Sequence, residues 1–496
     1  METFGAEPGR ATLIGTLTSA DPLPAVDGVG CVEVRADLMG EVDLEALRAW
    51  FPGKLLFTLR SKAEGGRFEG AGERRRKRLI AAAKSYDFVD LEAMRDLTPE
   101  VLRSIPPEKR LVSWHGPATD AEGLKAIFSR MTAVQAPLYK LVPTATQSGE
   151  ELAPLVFLHG LQRRDVAAFA VGETGAWTRL VAPRLGAPVV YGALGHTPAA
   201  PGQLGIRPLQ EDYGLPFLRP VDVLFGIVGK PVAHSLSPRI HNTAYRELGI
   251  PALYVPFHAE QFGDFWLEVV ESGVLEEIGM PLKGLSVTTP FKEAALAVAG
   301  AESPLASTIG AANTLVWNQG VWEAEATDPD GVVLPLKERG VELAGKEVAV
   351  VGAGGAGRSA AVGLANAGAQ VTLFNRTEER GRSAAERLGL PFVLLAELDP
   401  GRFDVLVNAT ALGRDDREAL PFDPGAVRPE AVVIDLVYRL NGPTPLLAAV
   451  AARGAVAVDG REVLVDQARA QFRMMTGQEL PLALTRQMVG LEDAAA

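Results

Sequence analysis

The sequence predicts an α/β protein of two unlike halves: a (β/α)8 barrel, then a two-part α/β region that holds a dinucleotide-binding fold. Three observations carry this. Short apolar strands alternate with amphipathic stretches from residue 11 to about 206. A glycine loop, Gly352 to Gly357, is framed by strand, helix and strand. Between the halves, Arg207–Asp222 holds three prolines and a glycine and has no clear period.

Length and composition set the bounds. At 496 residues the chain exceeds one ordinary core, so two or three domains are expected. The formal net charge is −12, which argues against nucleic acid and anionic membranes as partners. No apolar run is long enough to span a bilayer, and Met-Glu-Thr-Phe-Gly-Ala-Glu-Pro lacks the pattern of a signal peptide. Cys31 is the single cysteine and no Cys/His cluster suggests zinc. The expectation is a soluble cytoplasmic protein without a structural metal.

In the first half the strands are read at Ala11–Leu17, Cys31–Arg35, Lys54–Arg60, Asp87–Glu92, Arg110–His115, Leu138–Val142, Val166–Val171 and Val189–Ala193. Helical stretches fall at Val42–Phe51, Glu73–Tyr86, Pro99–Ile105, Asp120–Met131 and Gly149–Gln162. Eight strands in about 200 residues suit a compact (β/α)8 barrel, with an open doubly wound sheet as the alternative. In a barrel, chemistry sits at the C-terminal strand ends. Those ends hold Glu33, Arg35, Arg60 with nearby Glu64, Glu92, His115 and Lys140. Any one of them could be a solvated loop residue, but charges converging from neighbouring strands are costly without a task. Lys140 lies between Tyr139 and Leu141, where desolvation and nearby cations would make it a nucleophilic amine. His115 is placed as a general acid/base, and the arginines suit a carboxylate.

Glu33-Val-Arg35, Thr58-Leu-Arg60-x-x-x-Glu64-Gly-Gly, Val89-Asp-Leu-Glu92, Ser113-Trp-His115, Tyr139-Lys140 and Pro201-Gly-Gln203 together resemble type I 3-dehydroquinate dehydratase over about residues 11–206. The resemblance implies a Schiff base on Lys140, proton shuttling by His115 and assistance from Glu64. It also implies that Glu33, Arg35, Arg60, Arg179 and Gln203 hold the substrate's carboxylate and hydroxyls. Ala199 stands where that family commonly has serine.

The second half opens with a strand at Leu224–Val228 and the turn Ser235-Leu-Ser237-Pro238, where Ser237 reads as a helix N-cap. Thr288-Thr-Pro-Phe-Lys292 ends a strand and starts a helix, and a cation there opposes the helix dipole, so Lys292 should have another reason to be present. Glu347–Val351 reads as a buried strand, followed by Gly352, Gly354 and Gly357 at G-x-G-x-x-G spacing, a small-residue helix, and a second strand at Gln370–Phe374. Its helix N-terminus suits a pyrophosphate. Asn375-Arg376-Thr377 at the second strand's end suits a 2′-phosphate, which favours NADP over NAD.

Ser235-Leu-Ser-Pro, Val-Thr-x-Pro-x-Lys292, Gly-Ala-Ala-Asn313-Thr, Thr-Asp328, the glycine loop, Asn-Arg-Thr, Asn408-Ala-Thr410, Asp435-Leu-Val-Tyr438 and Asp466-Gln467 resemble the shikimate dehydrogenase family over about residues 224–490. This resemblance implies that Ser235 and Ser237 bind a carboxylate. Thr288, Asn313, Asp328, Tyr438 and Gln467 would surround the ring. Lys292 and Asp328 would be the catalytic pair. Gly352, Gly354, Gly355, Gly357, Asn375, Arg376, Thr377, Asn408, Thr410 and Gly460 would form the NADP site. Departures from the family pattern are Ser286, Ala326, Pro329, Ala411 and Arg414.

The expected organisation is a barrel at 1–206, a linker at 207–222, a substrate-binding part at 223–328 completed by 461–496, and an NADP-binding Rossmann part at 329–460. The expected function is bifunctional: dehydration of 3-dehydroquinate to 3-dehydroshikimate, then NADPH-dependent reduction to shikimate. A homodimer is kept open. Two alternatives stand beside this reading. One is a catabolic quinate/shikimate dehydrogenase. The other is a non-catalytic sensor, which the presence of Lys140, His115, Lys292 and Asp328 disfavours.

Overall fold

The computed structural model describes residues 4, 9–20, 23–40, 42–195, 197–413, 419–439 and 442–491. Arg414 lies outside the described residues. The chain divides into two compact units, Met1–Leu224 with Tyr245–Leu282, and Phe225–Ala244 with Lys283–Ala496.

The first unit holds β1 (Thr12–Leu17), β2 (Cys31–Arg35), β3 (Lys54–Thr58), β4 (Phe88–Glu92), β5 (Arg110–Pro117), β6 (Leu138–Thr144), β7 (Val166–Ala168) and β8 (Val189–Leu194). They form one sheet in the order β7-β6-β5-β4-β3-β2-β1-β8. Its neighbours are parallel, and β8 lies beside β1. A doubly wound sheet reverses direction at a switch point; this one follows chain order and wraps round, so it is the barrel.

Alternation along each strand explains how one interior serves as both core and site. The rows Cys31-Glu33-Arg35, Leu56-Thr58, Phe88-Asp90-Glu92, Leu111-Ser113-His115 and Leu138-Lys140 each start apolar and turn polar toward the C-terminal end. Ile14, Cys31, Leu56, Phe88, Leu111, Leu138, Ala167, Val189 and Tyr191 form the apolar layer. The charged layer sits above it.

Residues 207–222, expected as a linker, begin inside a helix, Ile206–Glu211. A Cβ at Gly192 on β8 would lie 2.7 Å from Leu209 Cδ1 and 2.8 Å from Ile206 Cδ1, so this helix is packed closely on the strand. Ala11 N–H donates to Pro216 O at 3.0 Å and Leu218 N–H to Gly9 O at 2.7 Å. Much of the stretch therefore belongs to the barrel. Pro208 sits in the first helical turn and Pro216 in a turn, places that proline tolerates.

β9 (Val223–Gly229) leads into the second unit, while β10 (Ala252–His258) lies in the segment that groups with the barrel. β11 (Leu282–Val287), β12 (Ala301–Glu302), β13 (Thr314–Asn318) and β14 (Val321–Glu325) continue the chain, and β9, β11, β13, β14 and β12 are successive neighbours in a mixed sheet. A separate parallel sheet contains β15 (Glu347–Val351), β16 (Gln370–Asn375), β17 (Phe392–Leu394), β18 (Val405–Asn408), β19 (Val432–Asp435) and β20 (Val456–Asp459). Its order, β17-β16-β15-β18-β19-β20, reverses between β15 and β18, which puts the ligand crevice at their C-terminal ends.

Candidate functional site

The barrel's polar layer is a network centred on Arg60, which is 4% exposed. Arg60 Nη2 donates to Asp90 Oδ2 at 2.7 Å, and Nη1 to Ser113 Oγ at 2.9 Å and Glu64 Oε2 at 3.3 Å. Glu92 Oε1 lies 3.5 Å away and accepts the Ser61 N–H at 2.7 Å. Arg75 backs this layer with a two-pronged bond to Asp96, 2.7 Å on each prong. Buried charges of this kind persist only when paired. Asp90 and Ser113 stood in the quoted motifs without an assigned role, and Arg75 was not singled out from sequence. Asp90 shares the inward face with Glu92, so the period-2 alternation of β4 was the signal.

Lys140 is 4% exposed. Its Nζ lies 3.9 Å from Glu33 Oε1, 4.0 Å from Asp90 Oδ2 and 4.1 Å from the Tyr191 ring centroid. Burial pulls its pKa down, Arg60 and Arg35 pull the same way, and Glu33 and Asp90 resist. Glu33 is fixed by hydroxyl donors from Thr16 and Thr58, each at 2.9 Å. The amine is thus held beside anions yet shifted toward its neutral, nucleophilic form.

His115 Nδ1 lies 3.3 Å from Glu64 Oε2, which also accepts the His115 backbone N–H at 3.0 Å. Burial, with Arg60, Lys140 and Arg35, holds the imidazole well below its usual value. The side chain keeps 20% of its surface, so substrate can reach it. Burial pushes the Glu64 carboxyl up to about 8, against Arg60. The pair therefore begins with a neutral imidazole ready to accept a proton.

The expected carboxylate-binding residues differ in state. Arg35 spends its fork on Asp37, at 2.9 and 2.8 Å. Arg179 is 2% exposed; its Nε and Nη2 have no hydrogen-bond partner among the described residues, and Nη1 is 3.5 Å from Tyr191 O. Burial lowers its pKa to about 10. A buried guanidinium with unused donors beside Lys140's neighbour Tyr191 fits an incoming carboxylate. Gln203 latches the closing loop: Nε2 donates to Thr16 Oγ1 at 3.1 Å, and Oε1 accepts the Ala199 N–H at 2.8 Å. Ala199→Ser is expected to lower the Michaelis constant for the dehydratase substrate or leave it unchanged. Steady-state kinetics reporting a large activity loss would mean that the loop closes differently.

In the second unit Lys292 opens the helix Lys292–Val298 and forms an ion pair with Asp328, which is 3% exposed. The other Asp328 oxygen accepts Asn313 Nδ2 at 2.7 Å and Gln467 Nε2. These four expected residues converge from well-separated positions in the chain. Gln471, one turn beyond Gln467, was missed; it donates to Asn313 O and Thr314 Oγ1, both at 3.0 Å, and accepts Ser286 Oγ at 2.8 Å. Its i, i+4 spacing from Gln467 was the available signal.

A Cβ at Gly229 would meet Thr288 Cγ2 at 2.3 Å, so the end of β9 abuts the Thr288 turn. The turn carrying Ser235 and Ser237 follows. The helix there is Ser237–Leu248, so Ser237 is its first residue rather than the cap, and Ser235 Oγ accepts the Ser237 N–H at 3.2 Å. The shift arises because Ser235, two residues earlier, already satisfies that N–H. Tyr438 is partly exposed in the turn after β19.

The glycine loop fits a dinucleotide by what it leaves out. A Cβ on Gly357 would lie 1.8 Å from Gly352 O, and Gly352 has φ +113°. Helix Gly355–Asn366 starts there with its N-terminal N–H groups directed outward. Asn375 Oδ1 accepts the Ala353 N–H at 3.3 Å, and Arg376 and Thr377 are exposed beside it. Arg380, missed from sequence, places Nη2 3.9 Å from a Cβ at Gly354, one turn from Arg376. Asn408 is turned inward: it donates to Asp435 Oδ1 at 2.8 Å and accepts the Thr410 hydroxyl at 2.7 Å. Burial pushes Asp435 up to about 6. Asn408 and Thr410 therefore shape their loop. A Cβ at Gly460 would meet Asp435 O at 2.7 Å, so Gly460 lets the helix Gly460–Thr476 approach β19.

Residues 18–219 match the family profile of type I 3-dehydroquinase, 227–315 that of the shikimate dehydrogenase substrate binding domain, and 336–414 that of shikimate/quinate 5-dehydrogenase. The chain is 31% identical to the chloroplastic bifunctional 3-dehydroquinate dehydratase/shikimate dehydrogenase of Arabidopsis thaliana, over 93% of this chain and 80% of that protein. It is 36% identical to a shikimate dehydrogenase (NADP(+)) of Methanothrix thermoacetophila, over 52% of this chain and 93% of that one. The crystal structure of shikimate dehydrogenase from Aquifex aeolicus matches with TM-score 0.50 and 32% identity, covering 54% of this chain and 97% of that chain.

Proposed function

From the premise that this chain belongs to the bifunctional 3-dehydroquinate dehydratase/shikimate dehydrogenase family, we propose how its residues divide the two reactions. The enzyme dehydrates 3-dehydroquinate and reduces the resulting 3-dehydroshikimate to shikimate with NADPH.

In the barrel, neutral Lys140 attacks the substrate ketone, and water leaves to give an iminium. His115 removes a proton from the carbon beside it, and the iminium takes up the electron pair. The protonated imidazole then returns that proton to the departing hydroxyl. Water hydrolyses the imine and frees Lys140. Glu64 orients His115, Arg179 orients the carboxylate with its unused donors, and Arg60 and Arg35 fix the acidic groups around it. The observation that carries this reading is Lys140 buried 3.9 Å from Glu33 in the same polar layer as His115. Borohydride added during turnover is expected to trap an adduct on the peptide containing Lys140. An active, untrapped Lys140→Ala protein would falsify the Schiff base.

In the second unit, Ser235, Ser237 and Thr288 receive the substrate's polar groups, and Lys292, Asp328, Asn313 and Gln467 face its ring. When bound, NADPH supplies a hydride equivalent. Lys292 supplies the proton at the carbonyl oxygen, and Asp328 fixes its ammonium. Arg376, Asn375 and Thr377 would hold the 2′-phosphate of the bound cofactor. Losing a charge-assisted pair costs on the order of 1.5–3 kcal/mol, about 10- to 150-fold in affinity. Arg376→Ala is therefore expected to raise the Michaelis constant for NADPH and leave that for NADH nearly unchanged. Equal losses with both cofactors would make Arg376 structural.

Among the described residues no helix is long and apolar enough to cross a membrane. A cytoplasmic setting is part of the proposal. The single cysteine, Cys31, is buried and unpaired, which suits a reducing compartment. Quinate dehydrogenation, the catabolic alternative, is tested by kinetics with quinate against shikimate.

A further inference from the structure

We propose that Arg358 and Glu293 form a clamp that positions Lys292 against the glycine loop, making Arg358 a positioning residue for the dehydrogenase reaction. The inference rests on the role given to Lys292 above. Arg358 lies in the first turn of the helix Gly355–Asn366 and is 7% exposed. A cation there opposes the helix dipole. Its surroundings supply a compensating task.

The guanidinium reaches three separate elements. Nε donates to Ile309 O at 2.8 Å, Nη1 to Ala353 O at 3.4 Å, and Nη2 to Gly310 O at 3.2 Å and Glu293 Oε1 at 2.8 Å. Ala353 belongs to the glycine loop. Ile309 and Gly310 end the helix Pro304–Ile309, and Glu293 follows Lys292 in the chain. Contact at Lys292 is close: a Cβ at Gly355 would lie 3.1 Å from Lys292 Cβ and 3.2 Å from its Cδ. Ala312 N–H donates to Lys292 O at 2.8 Å, so the same turn holds the lysine's backbone. Arg387 adds a second strap, with Nη1 3.3 Å from Ser307 O. Moving the start of the Lys292 helix away from the glycine loop stretches the Arg358–Glu293 bond. A lysine at 358 would keep the charge but lose the planar fork that serves several acceptors at once.

The test uses the full-length protein carrying Glu293→Gln, Arg358→Lys and both together, with Lys292→Ala in parallel. Dehydrogenase kinetics are read beside equilibrium binding of NADP+ and shikimate, and retained NADP+ binding reports folding of the second unit. Each single variant is expected to lower dehydrogenase kcat about 2- to 30-fold, with losses that do not multiply in the double variant. Michaelis and dissociation constants should stay within about twofold, because the clamp aims Lys292 rather than binding ligand. Wild-type kcat in both single variants, or losses that multiply, would overturn the clamp. Wild-type kcat in Lys292→Ala would instead overturn the role of the lysine. If Arg358→Lys loses its fold, Glu293→Gln decides alone; that side chain is 56% exposed and its substitution leaves the core intact.

Discussion

Lys140→Ala is expected to abolish dehydration of 3-dehydroquinate while shikimate dehydrogenation continues at the wild-type rate. The first half follows from what the amine does. Without it the substrate ketone has no covalent electron sink, and a nucleophile acting within a catalytic unit is worth on the order of 10⁴–10⁶ in kcat. The second half follows from placement, since Lys292 and Asp328 belong to the other compact unit. The pH profile supplies an independent check. Burial lowers the Lys140 pKa from 10.5, and its first opponents are Glu33 and Asp90. The acid limb of kcat/KM that reports the free amine should therefore lie below the ordinary lysine value. Glu33→Gln removes an anion that favours the ammonium, so it should move that limb to still lower pH. A limb that moves upward would mean that another group is titrating. Arg179→Ala should raise the Michaelis constant, whereas a lost nucleophile should not.

The strands of the barrel were legible because their apolar runs and turn residues are local, and chain order alone decides which strands adjoin in a barrel. The polar layer was partly legible. Charges at strand ends stood out, but Asp90 lies mid-strand and was passed over, although it takes Arg60 at 2.7 Å and faces Lys140. Reading the inward row as a unit would have found it. The short helix Ile206–Glu211 was lost among prolines that in fact sit where helices and turns accept them. In the second unit the motifs pointed to candidate site residues but not to their bonds. Gln471 to Asn313 and Arg358 to Glu293 join residues far apart in sequence, and no local pattern encodes such a pairing. Asn408 shows the converse. Its motif suggested cofactor contact, while its amide is committed to Asp435 and to the Leu412 carbonyl at 3.1 Å.

Lys292→Ala should lower the dehydrogenase kcat on the order of 10²–10⁴-fold, the range typical of a positioned proton donor, and raise the Michaelis constant for substrate far less. A ketone becoming an alcohol gains negative charge on oxygen in the transition state, and a donor aimed at that oxygen acts chiefly there. The ion pair with Asp328 aims it. Asp328 is itself held by Asn313 Nδ2 at 2.7 Å and by Gln467, and Asn313 is held by Thr327, whose N–H it accepts at 2.8 Å. The lysine thus starts in a fixed direction and loses little on reaching the transition state. Asp328→Asn should hurt binding and turnover together, because the charge that holds the Lys292 ammonium is lost and the amide nitrogen must face either Lys292 or the donors of Asn313 and Gln467. Dehydratase activity should be untouched in both variants, because the barrel is a separate compact unit, and NADP+ binding is the folding control for the second unit. If Lys292→Ala changes only the Michaelis constant, the lysine binds ground state and transition state alike, and the proton comes from another donor.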